Sequence, residues 1–296
     1  MINADINADT KVFAVLGCPV GHSLSPLIQN TAAGLKGHNM VYTAMCVEPE
    51  QLGDAVKGGR ALGISGFNIT VPHKKAVMEH LCGLDPLAEL IGAVNTLKLT
   101  ENGYVGYNTD AVGAYYALAE AGADVKDKNV LVIGAGGAGY ACAAMAFMRG
   151  AKSLYIANRT VAVAKAFAEH LALSVYKTDK NSVSAIGIDD IYGLDGIDIV
   201  INTTILGFGA KAGQTPVKDV SWCKKAGVST VFDVVYSPWE TRLLREAKGV
   251  GIKTVNGFPM LVYQALAAQE IWFDTEFTPA EKQEICAGLT KYYLSN

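Results

Sequence analysis

The sequence lacks the patterns that mark several common classes of protein. Its six cysteines include no CxxC pair and its five histidines no HxH or HExxH spacing, so no metal site is predicted. No run of lysine and arginine occurs and the net charge is −3, which argues against nucleic acid and anionic membranes as partners. Apolar stretches such as 141–148 are too short to span a bilayer. We therefore expect the ligand to be a small molecule.

The N-terminal segment and the cysteines bear on the compartment. The first ten residues, MINADINADT, have neither the basic nor the apolar region of a signal peptide. The cysteines are scattered and form no disulfide framework. Together these features favour a reduced, cytoplasmic protein, and they leave a monomer and a homodimer equally open.

Strand-like and helix-like segments alternate along the chain, which predicts an α/β fold with mainly parallel sheets. The length of 296 residues, half of them hydrophobic, suits two domains. We expect an N-terminal α/β substrate-binding domain over 1–110, completed by two C-terminal helices over 257–296. A Rossmann-type, doubly wound dinucleotide-binding domain is expected over 111–256, with the charged stretch 124–129 near its start.

Hydrophobic period and turn residues predict the individual elements. In the first domain we expect strands over 11–17, 40–47 and 66–71, helices over 26–36, 49–58 and 73–82, and a hairpin over 95–108. In the second we expect a leading helix over 111–121 and strands over 129–133, 153–157, 198–202 and 229–235.

Residues 134–139 read Gly-Ala-Gly-Gly-Ala-Gly, a G-x-G-x-x-G motif between an apolar strand pattern and an Ala/Met-rich helix pattern. In that context the motif predicts a dinucleotide site, because glycines let the backbone approach a pyrophosphate at a helix N-terminus. The structural alternative is a glycine-rich turn that binds nothing.

The next strand pattern ends in Asn158-Arg159-Thr160, without an acidic residue. An NAD site usually supplies Asp or Glu to the ribose 2′-hydroxyl, whereas an Arg pairs with the 2′-phosphate of NADP. NADP is therefore the predicted cofactor. Val163 stands where a second Arg would be convenient, which leaves NAD open, and Arg159 as an ordinary surface charge is the structural alternative.

A second pattern resembles dehydrogenase chemistry without its context. Tyr176–Lys180 matches the YxxxK dyad of short-chain dehydrogenases. In that family the dyad lies far downstream of the glycine motif, whereas here the two are close together. We interpret this match as chance.

Polar side chains of the first domain fall where elements begin or end. In GFNITVPHKK, residues 66–75, the alternation predicts a strand that stops at Pro72 and places Asn68, Thr70 and Lys74 near one another. Ser25 fits the N-cap of a helix with Pro26 at N1, or, with Ser23, a carboxylate site at the helix N-terminus.

Eight motifs occur in one order along the chain: GCPVGHSLSP, FNITVPHK, GAVNTL, NTDAVG, GAGGAG, NRT, DVVYSPWETRLL and NGFPMLVYQA. The set spans almost the whole chain and resembles the shikimate dehydrogenases. The resemblance implies NADP-linked, reversible reduction of 3-dehydroshikimate to shikimate in aromatic amino-acid (chorismate) biosynthesis. Three stretches depart from the family pattern, namely Val163, the loop 202–207 and the GFPM of 257–260.

The resemblance also implies roles for the matching residues. Lys74 and Asp110 would handle the proton. The substrate carboxylate would lie on Ser23 and Ser25 with Tyr236 nearby. The ring hydroxyls would lie on Asn68, Thr70, Asn95, Asp110 and Gln264. The cofactor would be lined by Gly134, Ala135, Gly136, Gly137, Ala138, Asn158, Arg159, Thr160, Val234 and Gly257.

A Lys–Asp pair suits alcohol oxidation, since neutral lysine accepts the hydroxyl proton and its ammonium returns it. A free lysine titrates near about 10.4, so if Lys74 is the base, either burial by substrate and cofactor offsets the effect of Asp110 or oxidation favours alkaline pH. Two rivals share the fold: a quinate/shikimate dehydrogenase that uses NAD, and a catalytically silent ligand sensor. A structural interaction protein would leave the pocket residues unexplained.

Overall fold

The computed structural model describes residues 6–174 and 182–295, which form two compact units. The first unit runs to Gly113 and resumes at Val262, and the second runs from Ala114 to Leu261. The boundaries predicted for the substrate-binding and dinucleotide-binding domains, after residues 110 and 256, stay a proposal. The YxxxK match at 176–180 lies outside the described residues. Within the described ranges, no helix is both long and apolar enough to cross a membrane.

A six-stranded mixed sheet forms the first unit, in the order β2-β1-β3-β5-β6-β4. Its strands are β1 (Lys11–Gly17), β2 (Met40–Cys46), β3 (Gly66–Ile69), β4 (Gly83–Leu84), β5 (Thr96–Thr100) and β6 (Gly103–Tyr107). Its helices are α1 (Ser25–Lys36), α2 (Leu52–Ala61), α3 (Pro86–Ile91) and α10 (Pro279–Ser295). The helices α4 (Asp110–Glu120) and α9 (Phe258–Phe273) contain the two points of division.

Strand β1 is an inner strand of this sheet, and its apolar run is buried on both faces. It pairs in parallel with β2 and β3, while β3, β5 and β6 pair antiparallel. On one face Phe13 stacks on Trp272 of α9 at 4.4 Å, and the indole N–H of Trp272 donates to the Leu97 carbonyl at 2.9 Å. The last two helices thus contribute to the core of the first unit. The predicted hairpin is confirmed as β5–β6, with Gly103 at φ +131°.

The predicted helix over 73–82 is wrong. The chain after β3 forms consecutive turns and then a short 3₁₀ helix, Ala76–His80. The Lys74 carbonyl accepts from the Val94 N–H at 2.8 Å, and the Met78 N–H bonds to Lys75. This tertiary bond takes an acceptor that an α-helix would need. The segment around Lys74 is therefore tied to the chain that leads into β5.

A six-stranded, all-parallel sheet forms the second unit, in the order β12-β11-β10-β7-β8-β9. Its strands are β7 (Asn129–Ile133), β8 (Ser153–Asn158), β9 (Ser182–Gly187), β10 (Ile199–Asn202), β11 (Thr230–Asp233) and β12 (Lys253–Asn256). Its helices are α5 (Gly137–Met148), α6 (Val161–Ala172), α7 (Ser221–Lys225) and α8 (Arg242–Gly249).

This strand order is the doubly wound Rossmann order, and its direction reverses between β7 and β10. The predicted fold class is confirmed. The edge strands β9 and β12 have no counterpart among the predicted elements, because both are partly exposed and polar at several positions. Neither segment carries the apolar run that identifies a buried strand.

Candidate active site

The glycine motif lies at the switch point of the second unit, between β7 and α5. Gly134 has φ +110°, and a Cβ there would lie 2.7 Å from the Thr203 hydroxyl. A Cβ on Gly139 would lie 2.2 Å from the Gly134 carbonyl oxygen, so this position holds α5 against the turn. A Cβ on Gly136 would meet nothing within 4 Å. The first and last glycines are thus required by packing, and the middle one leaves open space.

That open space fits a pyrophosphate. Gly136 is the N-cap of α5, and no side chain caps the helix there. The N–H groups of the first turn, beginning with Gly137 and Ala138, are those that a phosphate group accepts from at a helix N-terminus. Ala135 is only half-buried beside them. The residues present therefore fit the diphosphate of a dinucleotide.

Arg159 lies one residue beyond β8 and is exposed. In the described ranges 6–174 and 182–295 it makes no hydrogen bond or ion pair with another side chain. Asn158 is fixed by a bond from its Nδ2 to the Thr160 carbonyl at 3.0 Å, and Thr160 is the N-cap of α6. This guanidinium remains available for a 2′-phosphate, which is the contact that the sequence predicts.

Two further predicted cofactor residues meet at the ends of β11 and β12. A Cβ on Gly257 would lie 2.0 Å from the Val234 carbonyl oxygen, so only glycine allows the two backbones to approach this closely. The Gly257 N–H donates to the Val235 carbonyl at 3.3 Å. Tyr236 follows in the same loop and also belongs to the second unit. Its predicted contact with substrate stays a prediction.

A buried carboxylate that sequence reasoning missed supports these loops. Asp233 ends β11, is fully buried, and accepts from Asn202 Nδ2 at 2.9 Å, the Val235 N–H at 3.1 Å and the Thr241 hydroxyl at 2.6 Å. Burial raises its pKa to about 6 against the opposing effect of these bonds. The Asp233 side chain therefore joins the loop after β10, the loop after β11 and the start of α8.

In the first unit, the structure brings Lys74 and Asp110 together. Lys74 Nζ lies 2.5 Å from Asp110 Oδ2, and Asp110 is the first residue of α4. The second oxygen, Oδ1, accepts from Asn95 Nδ2 at 2.9 Å. Asn95 Nδ2 also approaches the Thr109 hydroxyl at 3.0 Å and Gln264 Oε1 at 3.4 Å. Four predicted site residues thus form one hydrogen-bonded cluster around a carboxylate.

Asn68 joins a second set of buried groups. Its Oδ1 accepts from the Tyr42 hydroxyl at 2.7 Å and from Gln29 Nε2 at 3.1 Å. Its Nδ2 donates to the Thr96 hydroxyl at 3.0 Å and to a backbone carbonyl at 3.1 Å. All four hydrogen-bonding positions of the Asn68 amide are therefore occupied by protein groups. Its predicted contact with substrate stays a prediction, and it requires one of these partners to be exchanged.

Tyr42 lies at one end of this set. Burial raises the pKa of its hydroxyl well above its usual range, so the group stays protonated, and the Ser25 side chain has a smaller, opposing effect on that pKa. At the other end of the set, the Thr96 hydroxyl donates to Asn95 Oδ1 at 3.0 Å. One continuous chain of hydrogen bonds therefore runs from Tyr42 through Asn68, Thr96 and Asn95 to the Lys74–Asp110 pair.

The start of α1 differs from the prediction of Ser25 as its N-cap. The helix begins at Ser25, its N-cap is Leu24, and no side chain caps it. The Ser25 N–H donates to Ser23 Oγ at 3.2 Å, and the Ile28 N–H donates to the Leu24 carbonyl. Pro26 therefore occupies the second position of the helix. The backbone N–H groups of the first turn have no partner within the helix, so a proline, which has no N–H, fits there as well as at the first position. The two serine hydroxyls still flank the helix N-terminus.

Thr70 lies at the end of β3 beside β1. A Cβ on Gly17 would lie 2.3 Å from Thr70 Cγ2, so a glycine at 17 lets the threonine pack there. His73 is 1% exposed, and its Nε2 bonds the Val47 carbonyl at 2.7 Å, so the ring is part of the core and not of the polar cluster. Neither Tyr42 nor Thr96 could be chosen from sequence, because each reads as an ordinary strand residue.

A cleft of about 510 Å³ in the same unit lies beside α2 and the β5–β6 turn. Lys57, Arg60, His80, Asn102 and Tyr104 are among its lining residues. None of the predicted site residues contributes to it, so we do not assign it to the predicted site.

A doubly wound sheet with a glycine cradle in one unit, and a hydrogen-bonded Lys–Asp–Asn cluster in the other, define the class of dinucleotide-dependent oxidoreductases. The model of the shikimate dehydrogenase substrate binding domain matches residues 15–97, and the model of shikimate / quinate 5-dehydrogenase matches 117–206. The chain belongs to the shikimate dehydrogenase family, as the ordered motifs predict.

Several proteins are similar to this chain over nearly its whole length. A shikimate dehydrogenase (NADP(+)) of Methanocaldococcus jannaschii is 44% identical, with 92% of this chain and 94% of the relative covered. One of Geobacter metallireducens is 40% identical, with 97% and 100% covered. A shikimate dehydrogenase crystallised with NADP+ superposes with a TM-score of 0.84 at 41% identity, covering 96% of both chains. A shikimate 5-dehydrogenase of Listeria monocytogenes, crystallised with shikimate and NAD, gives 0.83 at 34%, covering 95% and 97%.

Proposed function

We propose that this chain catalyses the reversible, NADP-dependent reduction of 3-dehydroshikimate to shikimate, a step of aromatic amino-acid biosynthesis. The observation that carries the proposal is the 2.5 Å pairing of Lys74 with Asp110, in a chain that also carries the Gly134–Gly139 cradle. Family membership and the NADP(+) specificity named for the curated relatives support the same reaction and cofactor.

In this proposal Lys74 moves the proton. In the direction of reduction its ammonium donates a proton to the carbonyl oxygen as that oxygen gains negative charge, and in oxidation the neutral amine takes the hydroxyl proton. Asp110 holds the Lys74 amine by one oxygen and Asn95 by the other, so it fixes where the amine points. Asp110 is thus an orienting partner whose second oxygen is held by an amide.

The other predicted residues bind the ring. Ser23 and Ser25 are proposed to hold the carboxylate at the start of α1, where the helix N-terminus favours negative charge. Thr70, Asn95 and Gln264 are proposed to bind the hydroxyls, with Asn68 and Tyr236 in the same substrate set.

The proposed cofactor-binding residues all belong to the second unit. The backbone of residues 134–138 is proposed to hold the pyrophosphate, and Asn158, Arg159 and Thr160 the adenosine end with its 2′-phosphate. Val234 and Gly257 are proposed to line the nicotinamide side. When bound, NADP supplies or accepts the hydride. The absence of an acid at the end of β8 supports NADP over NAD, because a carboxylate there would repel the phosphate.

We propose a cytoplasmic enzyme whose partners are its small-molecule substrate and cofactor, without nucleic acid or membrane. The chain would act as a monomer or a homodimer.

Absorbance of the reduced nicotinamide tests the function, with shikimate or quinate crossed against NADP+ or NAD+. We expect a strong signal only with shikimate and NADP+. A larger signal with NAD+ or with quinate would contradict the proposed specificity and favour the quinate/shikimate alternative. No signal in any combination would favour the silent sensor.

A further inference from the structure

Three side chains outside the polar cluster converge at one exposed edge of the first unit. Cys18 follows β1, Cys46 ends β2, and Glu48 comes two residues later; the parallel register pairs Gly17 with Cys46. The two Sγ atoms are 3.0 Å apart, and Cys18 Sγ donates to Glu48 Oε1 at 3.2 Å. One ligand atom from each of the three residues lies within 4.8 Å of the other two. The sequence gives no metal-binding spacing, because the two cysteines are 28 residues apart.

We propose that Cys18, Cys46 and Glu48 form a binding site for a thiophilic divalent cation such as Zn²⁺. In a tetrahedral zinc site with Zn–S of about 2.3 Å, two sulfurs lie about 3.8 Å apart, and a sulfur and a carboxylate oxygen about 3.5 Å apart. The distances found here, 3.0 and 3.2 Å, reach those values by side-chain movements of less than about 1 Å. Cys46 and Glu48 are exposed, so ions have access and water can complete the tetrahedron.

The backbone that carries these ligands is fixed on several sides. The Cys18 N–H donates to the Val71 carbonyl at 3.2 Å, and the Val47 N–H donates to the Gly17 carbonyl at 3.1 Å. The Val47 carbonyl in turn bonds the buried His73 ring at 2.7 Å. Ligands on such a fixed frame lose little conformational entropy on binding, which favours a cation over independent surface side chains.

Glu48 favours a cation over a disulfide between the two cysteines. A disulfide would use Cys18 and Cys46 alone, and the Glu48 carboxylate would take no part in it. A divalent cation attracts both sulfurs and the carboxylate at once. On binding, the two thiols lose their protons to solvent and two sulfur–metal bonds form, without any change of oxidation state.

Cadmium titration of the reduced, metal-free protein tests the site, because thiolate-to-cadmium charge transfer absorbs in the ultraviolet. We expect one equivalent to bind, with release of about two protons, and Zn²⁺ to displace it. Cys18→Ser and Cys46→Ser should abolish the signal, and Glu48→Gln should weaken binding at least tenfold. Cys82→Ser is the matched control, since Cys82 is also exposed but lies outside the cluster, and it should bind like the wild type.

Circular dichroism and thermal unfolding of each variant, measured without metal, separate loss of the site from loss of the fold. Equal cadmium signals in the wild type and in Cys18→Ser would overturn the proposal. So would a reduced wild type that binds cadmium no tighter than the Cys18→Ser, Cys46→Ser double variant. Unchanged affinity in Glu48→Gln would overturn the three-ligand site.

Discussion

Lys74 Nζ and Asp110 Oδ2 are 2.5 Å apart, and Asn95 holds the other oxygen of the same carboxylate at 2.9 Å. The lysine follows β3 and the aspartate opens α4, so the pair joins two elements that are 36 residues apart. With about four-fifths of the Lys74 side chain covered and Asp110 buried, the ammonium has one fixed partner and the carboxylate two. A carboxylate placed this way restricts the amine to one direction.

Replacing Lys74 tests its role in proton transfer. Lys74→Ala is expected to lower kcat by about 10²–10⁴-fold, the usual contribution of a general acid or base, with a small change in KM. Lys75→Ala, at the neighbouring exposed lysine, is the matched control and should keep wild-type kcat. Steady-state kinetics in both directions measure the effect. Activity retained in Lys74→Ala would assign proton transfer to another group.

The pH dependence of oxidation gives an independent test of the same residue. Oxidation of the alcohol releases a proton, and a lysine accepts that proton only in its neutral form, which becomes more populated as pH rises. The rate of shikimate oxidation should therefore increase from neutral to alkaline pH in the wild type. A profile that stays flat over this range would contradict the role of Lys74 as the base.

Arg159 should determine the preference for NADP. A charge-assisted bond to phosphate contributes about 1.5–3 kcal/mol, so Arg159→Ala should raise the KM for NADP+ about 10–100-fold while leaving that for NAD+ unchanged. Lys165→Ala removes a nearby cation that pairs with Glu169 instead, and it serves as the control. Val163→Arg should strengthen NADP+ binding, because a second guanidinium would lie near the first. An equal effect of Arg159→Ala on both cofactors would refute the 2′-phosphate contact.

Asp233 should make stability depend on pH in a defined direction. Its pKa is raised from 3.8 to about 6, so the folded protein holds this proton more tightly than the unfolded chain. The free energy of unfolding therefore falls as pH rises from about 4 to about 6 and is then constant, by up to about 3 kcal/mol for this group. Asp233→Asn removes the titration while its amide still accepts from Asn202 and donates to the Thr241 oxygen.

Denaturant unfolding between pH 4 and pH 7 measures this effect as the difference between wild type and Asp233→Asn. The difference should change across the window and level off above about 6. Asp195→Asn, at an exposed position of the same unit, should leave the wild-type curve unchanged. Parallel curves for wild type and Asp233→Asn would contradict the raised pKa.

Tyr42 should position the substrate residues without touching the reacting atoms. Tyr42→Phe removes the donor to Asn68 Oδ1, which should cost about 1–2 kcal/mol of stability and raise the KM for shikimate more than it lowers kcat. Tyr104→Phe is matched, since Tyr104 is also buried in this unit and donates to the Ile64 carbonyl at 2.6 Å. It should lose similar stability with no change in KM. Equal KM values in both variants would make Tyr42 purely structural.

The parts of the fold that the sequence predicts are those set by local pattern. The apolar run of β7 followed by glycines identifies the switch point, and the turn chemistry at Gly103 identifies the β5–β6 hairpin. The helix expected over 73–82 does not form. The hydrogen bond from the Val94 N–H to the Lys74 carbonyl joins residues too far apart in the chain for a local sequence pattern to predict it. The edge strands β9 and β12 are not predicted, because a strand at the edge of a sheet needs few apolar residues.

The candidate site likewise contains residues that can be identified from the sequence and others that cannot. Lys74 and Asp110 stand out in the sequence because they lie in polar stretches where elements begin or end. Tyr42 and Thr96 do not, because each reads as an ordinary strand residue. Asp233 is an acid within an apolar strand, and only the structure shows which groups bond to it. Their importance comes from hydrogen bonds to residues distant in the chain, which are fixed only when both sheets have formed.

The discontinuity of the first unit has a consequence for the order in which the protein matures during synthesis. Trp272 and Gln269 of α9 are buried against residues of β1 and α1 that leave the ribosome more than two hundred positions earlier. The second unit is contiguous and has all its strands available once residue 261 has emerged. The first unit must therefore wait, with this apolar face of its sheet uncovered, until α9 has been synthesised. Strand β1 precedes the whole second unit in the chain and yet reaches its final packing only after that unit has been made.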